Sequence, residues 1–201
     1  DVYKRQHFPY LQKKTARGVR RTPFHHHLKE NGAVFGELAG WERANWFANP
    51  GQDPNYAYSW KRQNFFDNVA AEHKAVRSNL GLYDMSSFGK IRVEGPDACA
   101  FMNYIGGGQY DVPSGKIVYT QFLNDRAGIE ADVTVTRLSE TCYLVVTPAA
   151  TRLADQTWMM RHKGAFNVVI TDVTAGEAVL AVMGPNARKL LERVSPNNFS
   201  N

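Results

Sequence analysis

Between Tyr119 and Arg137 the chain reads YTQFLNDRAGIEADVTVTR, and this stretch limits the fold more than any other. Ile129, Ala131, Val133 and Val135 alternate with Glu130, Asp132, Thr134 and Thr136. A period of two gives a strand with one apolar and one polar face. Ahead of it, Gln121, Phe122 and Leu123 run into Asn124-Asp125-Arg126-Ala127-Gly128, a turn cluster whose glycine is expected to take φ > 0. The stretch is thus a strand, a tight turn and a second strand. Asp132 is the oddity: Asp is depleted in strands, and β-branched Val133 and Thr134 follow it directly. A carboxylate on the stiff polar face of a sheet is either a solvated surface group or one aimed at a ligand.

The elements around this pair set the fold class. Apolar residues at spacings of three and four (Phe65, Phe66, Val69, Ala70, Val76) predict a helix from Trp60 to Asn79, stopped by Gly81. The second half of 82–95 alternates as a strand. Pro96-Asp97-Ala98 then opens a helix through Ile105, with proline in the first turn where its missing N–H costs nothing. Thr141–Thr147 reads as a strand, Pro148–Lys163 as a helix, and Phe166–Val173 and Glu177–Met183 as further strands. Gly184-Pro185-Asn186-Ala187 leads into a last helix, so strand–Gly-Pro-Asp/Asn-Ala–helix occurs twice. Such irregular alternation with hairpins predicts an α+β fold, a mixed or antiparallel sheet with flanking helices, and not a doubly wound parallel sheet.

The net charge of +5 points to nucleic acid only until it is located. Seven Lys/Arg and no acid fall within residues 2–28; from Thr22 onward 17 basic residues face 18 acidic ones. The basic character belongs to the tail, and the neutral remainder argues against a nucleic-acid surface. We therefore divide the chain into a basic tail, 1–21, expected to be poorly ordered; a loop-rich aromatic junction, 22–60; and a domain, 61–201. Phe24 to Asn31 reads as a short helix within the junction. His25-His26-His27 is not taken as a metal site, since consecutive side chains diverge and no second ligand cluster accompanies them. Gly106-Gly107-Gly108 lacks the helix start and Lys-Ser/Thr of a phosphate loop. Cys99 and Cys142 stand in no paired spacing and read as free thiols of a reducing compartment. The longest apolar run, 178–183, is far short of the ~20 residues of a membrane span, and the start has no apolar signal core. The chain stops soon after a helix with no closing element and is expected to be a piece of something longer.

Taken in order, 75–90 (Ala75-Val76-Arg77-Ser78-Asn79-Leu80-Gly81 through Phe88-Gly89-Lys90), Glu94-Gly95-Pro96-Asp97-Ala98, Tyr119, Gly128-Ile129-Glu130-Ala131-Asp132, Val145-Val146 and Met183-Gly184-Pro185-Asn186-Ala187 resemble the folate-binding domain of the glycine-cleavage T-protein (aminomethyltransferase) family. The upstream Gly32–Gly36 and Gly40–Phe47 stretches look like the junction found where that domain is fused behind a flavin amine dehydrogenase, as in dimethylglycine and sarcosine dehydrogenases.

The resemblance implies an aminomethyltransferase-like fold, C-terminally incomplete here, and an enzyme portion that captures a one-carbon unit on tetrahydrofolate as methylenetetrahydrofolate. Its partners would be the folate and an N-terminal flavin domain. FAD would sit in that upstream domain, because this chain has no GxGxxG. Location would be the cytoplasm, or the mitochondrial matrix in a eukaryote. Asp132 matches the acidic residue facing the reactive nitrogens of the folate, Tyr119 an aromatic lining its pocket, and Phe88 the position beside the pterin. The family's Asp-Asp pair reads Ala131-Asp132 here. A reduced pterin offers N–H donors on a flat ring, so the carboxylate is expected to face a hollow of pteridine size beside an aromatic wall. Two other readings remain: a stand-alone aminomethyltransferase of glycine cleavage, and a non-catalytic module that keeps the fold for regulation or interaction.

Overall fold

The computed structural model of the chain describes residues 11–200 and divides into two compact units. One unit is formed by residues up to Met85 together with Leu180 onward, the other by Ser86–Val179. Among the described residues no helix is long and apolar enough to cross a membrane.

The Ser86–Val179 unit holds an antiparallel sheet of five strands in the order β5-β6-β7-β4-β8. These are β4 (Gly89–Glu94), β5 (Ile117–Leu123), β6 (Ile129–Ser139), β7 (Cys142–Thr147) and β8 (Val169–Asp172). Period-two alternation sends Ile91, Val93, Phe122, Ala131, Val133, Val135, Tyr143 and Val145 to one face. Two helices meet that face. Helix α3 (Ala98–Ile105) contributes Ala98, Phe101, Met102 and Ile105 at helical spacing, and α4 (Arg152–His162) contributes Met159. Phe101, Tyr110, Phe122, Tyr143 and Met159 are fully buried, so this layer is a real core.

The corner from β7 into α4 is fastened by a buried carboxylate. Asp155, 1% exposed, accepts from the hydroxyls of Thr147 and Thr151, and Arg152 pairs with Asp172 of β8. The helix therefore starts at Arg152, later than the Pro148 the sequence suggested, because 148–151 forms the turn that delivers it. Cys99 and Cys142 are free and half-buried.

In the other unit, α1 (His25–Glu30) precedes a hairpin of β1 (Ala33–Leu38) and β2 (Trp41–Phe47). The junction expected to be loop-rich is thus partly sheet. Two features hid it: the turn is Ala39-Gly40, both at positive φ, with alanine where a readable turn has Asn or Asp, and a bulge at Val34/Phe35 breaks the alternation. Trp46, fully buried, stacks on Phe65 and meets the edge of Tyr56. The tail expected to be poorly ordered lies outside the described residues up to position 10. From Leu11 on it is tied to the hairpin: Arg17 forks onto Glu42 at 2.7 and 2.6 Å, and the Glu42 N–H donates to the Arg20 carbonyl. His25 stacks on Phe35, while His26 Nε2 and His27 Nδ1 lie 3.1 and 3.6 Å from the Glu30 carboxylate oxygens.

Helix α2 (Phe66–Ser78) is shorter than the periodicity suggested, since Gln63–Phe66 forms a turn and Trp60 lies in solvent. It leads into β3 (Gly81–Asp84), a strand the sequence reading did not separate from the helix stop. β3 pairs antiparallel with β9 (Leu180–Met183), which runs into α5 (Ala187–Val194).

The doubled Gly-Pro motif is the same structure twice. Gly95 and Gly184 both have positive φ, 147° and 115°, and the amides of Ala98 and Ala187 each return to the glycine carbonyl, at 3.1 and 3.0 Å. A Cβ on Gly95 would lie 2.2 Å from the Asn167 carbonyl oxygen, just ahead of β8. One on Gly184 would lie 2.6 Å from the Asn79 carbonyl oxygen, just ahead of β3. In both units the glycine just after a strand crosses the entry to that strand's antiparallel partner, where only glycine lets the backbones approach so closely.

Candidate functional site

The β5–β6 hairpin carries the site. Its turn is built by Asn124, whose side-chain carbonyl accepts the amides of Arg126 and Gly128 at 3.0 and 2.9 Å. The left-handed residue is Ala127, with φ 59°, and not Gly128 as expected from the sequence. A Cβ on Gly128 would lie 2.9 Å from the Asn124 side-chain nitrogen, so a larger residue there would press on the side chain that builds the turn. A bulge at Phe122/Leu123 then sets the register, so that Gln121 stands directly across from Asp132 and Tyr119 from Thr134.

With Ala131, Val133 and Phe122 turned into the core, Asp132, Tyr119 and Gln121 share the opposite face. There they form one cluster. The Tyr119 hydroxyl donates to Asp132 Oδ2 at 3.0 Å, and Gln121 Nε2 donates to Asp132 Oδ1 at 2.9 Å. Asp132 is exposed, Tyr119 is 67% exposed, and Gln121 is half-buried. The hydrogen bond to the carboxylate raises the Tyr119 phenol above its ordinary range, so it remains a donor at neutral pH. Ile117, Leu123 and Ile129, each exposed, give the surroundings an apolar character.

The expected pair Asp132 and Tyr119 is therefore brought together. Phe88 is not part of the cluster: it lies half-buried in the bend before β4, and β7 runs between β4 and β6. The carboxylate stands on an open sheet face and not in the hollow the sequence reading expected. A hollow of about 510 Å³ beside the hairpin is lined by Glu130 and α4 residues including Leu153, Trp158 and Arg161, without Asp132. The sequence reading missed Gln121. The only available signal was its polar character on the same strand face as Tyr119.

These residues fit one edge of a reduced pterin. A carboxylate has about four lone-pair sites, of which two are filled here, leaving acceptors for ligand N–H groups. The Tyr119 ring offers a flat apolar surface beside them.

Residues 24–201 match the family model described as the GCVT N-terminal domain. The chain is 48% identical over 194 residues to the 4-methylaminobutanoate oxidase (formaldehyde-forming) of Paenarthrobacter nicotinovorans, covering 96% of this chain and 24% of that protein. It is 30% identical over 198 residues to the mitochondrial dimethylglycine dehydrogenase of Homo sapiens, covering 96% and 22%. The chain thus spans about a quarter of the length of these curated relatives. Among solved structures, the glycine cleavage system aminomethyltransferase T of Bartonella henselae superposes with a TM-score of 0.74 at 27% identity, over 90% of this chain and 45% of that one. The α+β architecture with antiparallel sheets is that of the aminomethyltransferase T fold, and the chain belongs to the GCVT N-terminal domain family.

Proposed function

We propose that this chain is the folate-facing one-carbon transfer portion of a larger flavin-dependent enzyme that demethylates N-methyl amino acids. One observation carries the reading: the exposed Asp132 carboxylate on the β5–β6 hairpin accepts from the hydroxyl of an exposed Tyr119 at 3.0 Å and from the Gln121 amide at 2.9 Å. The relatives named as an oxidase and a dehydrogenase of methylated amino acids support it, and their greater length leaves room for the flavin portion.

Tetrahydrofolate, when bound, supplies the nitrogens that take up a carbon at the formaldehyde oxidation level. The chain's own groups act around it. Asp132 accepts an N–H of the folate and offsets positive charge as the carbon is captured. Tyr119 keeps the carboxylate turned outward and lends its ring as a wall. Phe88, in the bend before β4 and three strands along from β5, would bound the site on its far side.

A second reading follows from the P. nicotinovorans relative, which is named as a formaldehyde-forming oxidase. In it, the domain leaves the carbon to escape as formaldehyde. Titration of the full-length protein with tetrahydrofolate, followed by tryptophan fluorescence, tests the main reading. Saturable binding that Asp132→Ala weakens at least tenfold is the expected result. Binding of equal strength in the variant would remove Asp132 from the site.

A further inference from the structure

We infer that Gln121 is a positioning residue, holding the plane of the Asp132 carboxylate for its ligand; this rests on the reading of Asp132 as the folate-facing acid. The terminal torsion of an aspartate is broad and roughly two-fold, so a single hydrogen bond leaves the carboxylate free to swing about it. Here both oxygens are held, Oδ1 by the Gln121 amide and Oδ2 by the Tyr119 hydroxyl. Both donors come from β5, the strand adjacent to the one that carries the acid. Gln121 is the direct cross-strand partner of Asp132, and Tyr119 sits two pairs further along, the next position of β5 on the same face. Two anchors on a neighbouring strand define a plane where one defines only a direction. The remaining lone pair of each oxygen then points to a fixed place above the sheet, where a group with N–H donors can meet both.

Gln121 is also the better shielded donor, half-buried while Tyr119 is 67% exposed. An amide has no charge to lose, so this anchor is the same at every ordinary pH. A glutamate in its place would have nearly the same shape but the opposite hydrogen-bonding sense. Ionised, it repels Asp132; protonated, it donates as the amide does.

That asymmetry gives the test. Tetrahydrofolate binding by the full-length protein is measured from about pH 5 to 8 for wild type, Gln121→Leu, Gln121→Glu and Asp132→Ala. Gln121→Leu should weaken binding about three- to tenfold by the same factor at every pH. Gln121→Glu should weaken it more at neutral pH and recover toward wild type as the medium turns acid. A glutamine that merely fills a strand position would leave Gln121→Leu with wild-type affinity at every pH. If both Gln121 variants bind like wild type throughout while Asp132→Ala has lost affinity, the positioning role is overturned. If Asp132→Ala itself binds like wild type, the underlying reading falls. Should Gln121→Leu melt early, Gln121→Met, close in length and without the N–H donor, takes its place.

Discussion

Asp132 could be singled out in the sequence because its residue type contradicts its strand. Gln121 could not, because its partner is fixed by register. The pairing of 121 with 132 depends on the length of the Asn124 turn and on the bulge at Phe122/Leu123, neither of which composition shows. Glu42 was hidden in the same way. It lies 5% exposed in a segment that read as loop, and its carboxylate is held by Arg17 and by the Gly18 amide. The Arg17 hydrogen bonds keep that carboxyl below its usual range, against a burial effect of opposite sign. Between the lowered folded value and about 4.5, the unfolded chain binds more protons than the folded one, so stability rises with pH there. The contribution is complete above that window and lost as pH falls through it. Glu42→Gln should lower stability by about 1–3 kcal/mol at neutral pH, and the deficit should vanish in acid. Urea unfolding of both proteins at several pH values measures it; a deficit unchanged by acid would contradict the assignment.

Elements were legible where pattern and propensity agreed. The β5–β6 hairpin, α3 with its four buried residues, and β7 lie close to where alternation and capping placed them. The β1–β2 hairpin was lost to an atypical turn residue and a bulge, and β3 is too short to separate from the helix stop before it. The repeated Gly-Pro motif was visible, but its reason, backbone crossing at a positive φ, needed coordinates. Gly95→Ala should therefore cost more than about 2 kcal/mol, because strain and backbone overlap add. Gly51→Ala, at φ 80° with nothing near its would-be Cβ, should cost only about 1–2 kcal/mol. Thermal melts of the two variants compare them directly, and equal losses would refute the overlap argument. At the β7–α4 corner, Asp155→Ala removes the carboxylate that accepts from both threonine hydroxyls, leaving only the longer contacts between them and to the Pro148 carbonyl. A loss of about 2–4 kcal/mol by denaturant unfolding is expected, and a neutral result would mean the corner holds without it.

At the scale of the whole molecule, the sequence conveyed the α+β class and the family, because both depend on the order of many short signals. It gave no account of the two units, since the first is assembled from the start of the chain together with residues from Leu180 onward. The open setting of Asp132 was equally invisible, because alternation tells which face a side chain takes and not what covers that face. The proposed role of the domain is to decide where the carbon goes. The direct measurement is the partition of carbon between methylenetetrahydrofolate and free formaldehyde when the full-length enzyme turns over an N-methyl amino acid with tetrahydrofolate present. Most of the carbon should appear on the folate with wild type and return to formaldehyde with Asp132→Ala. An identical partition in the two proteins, or formaldehyde alone from both, would contradict it.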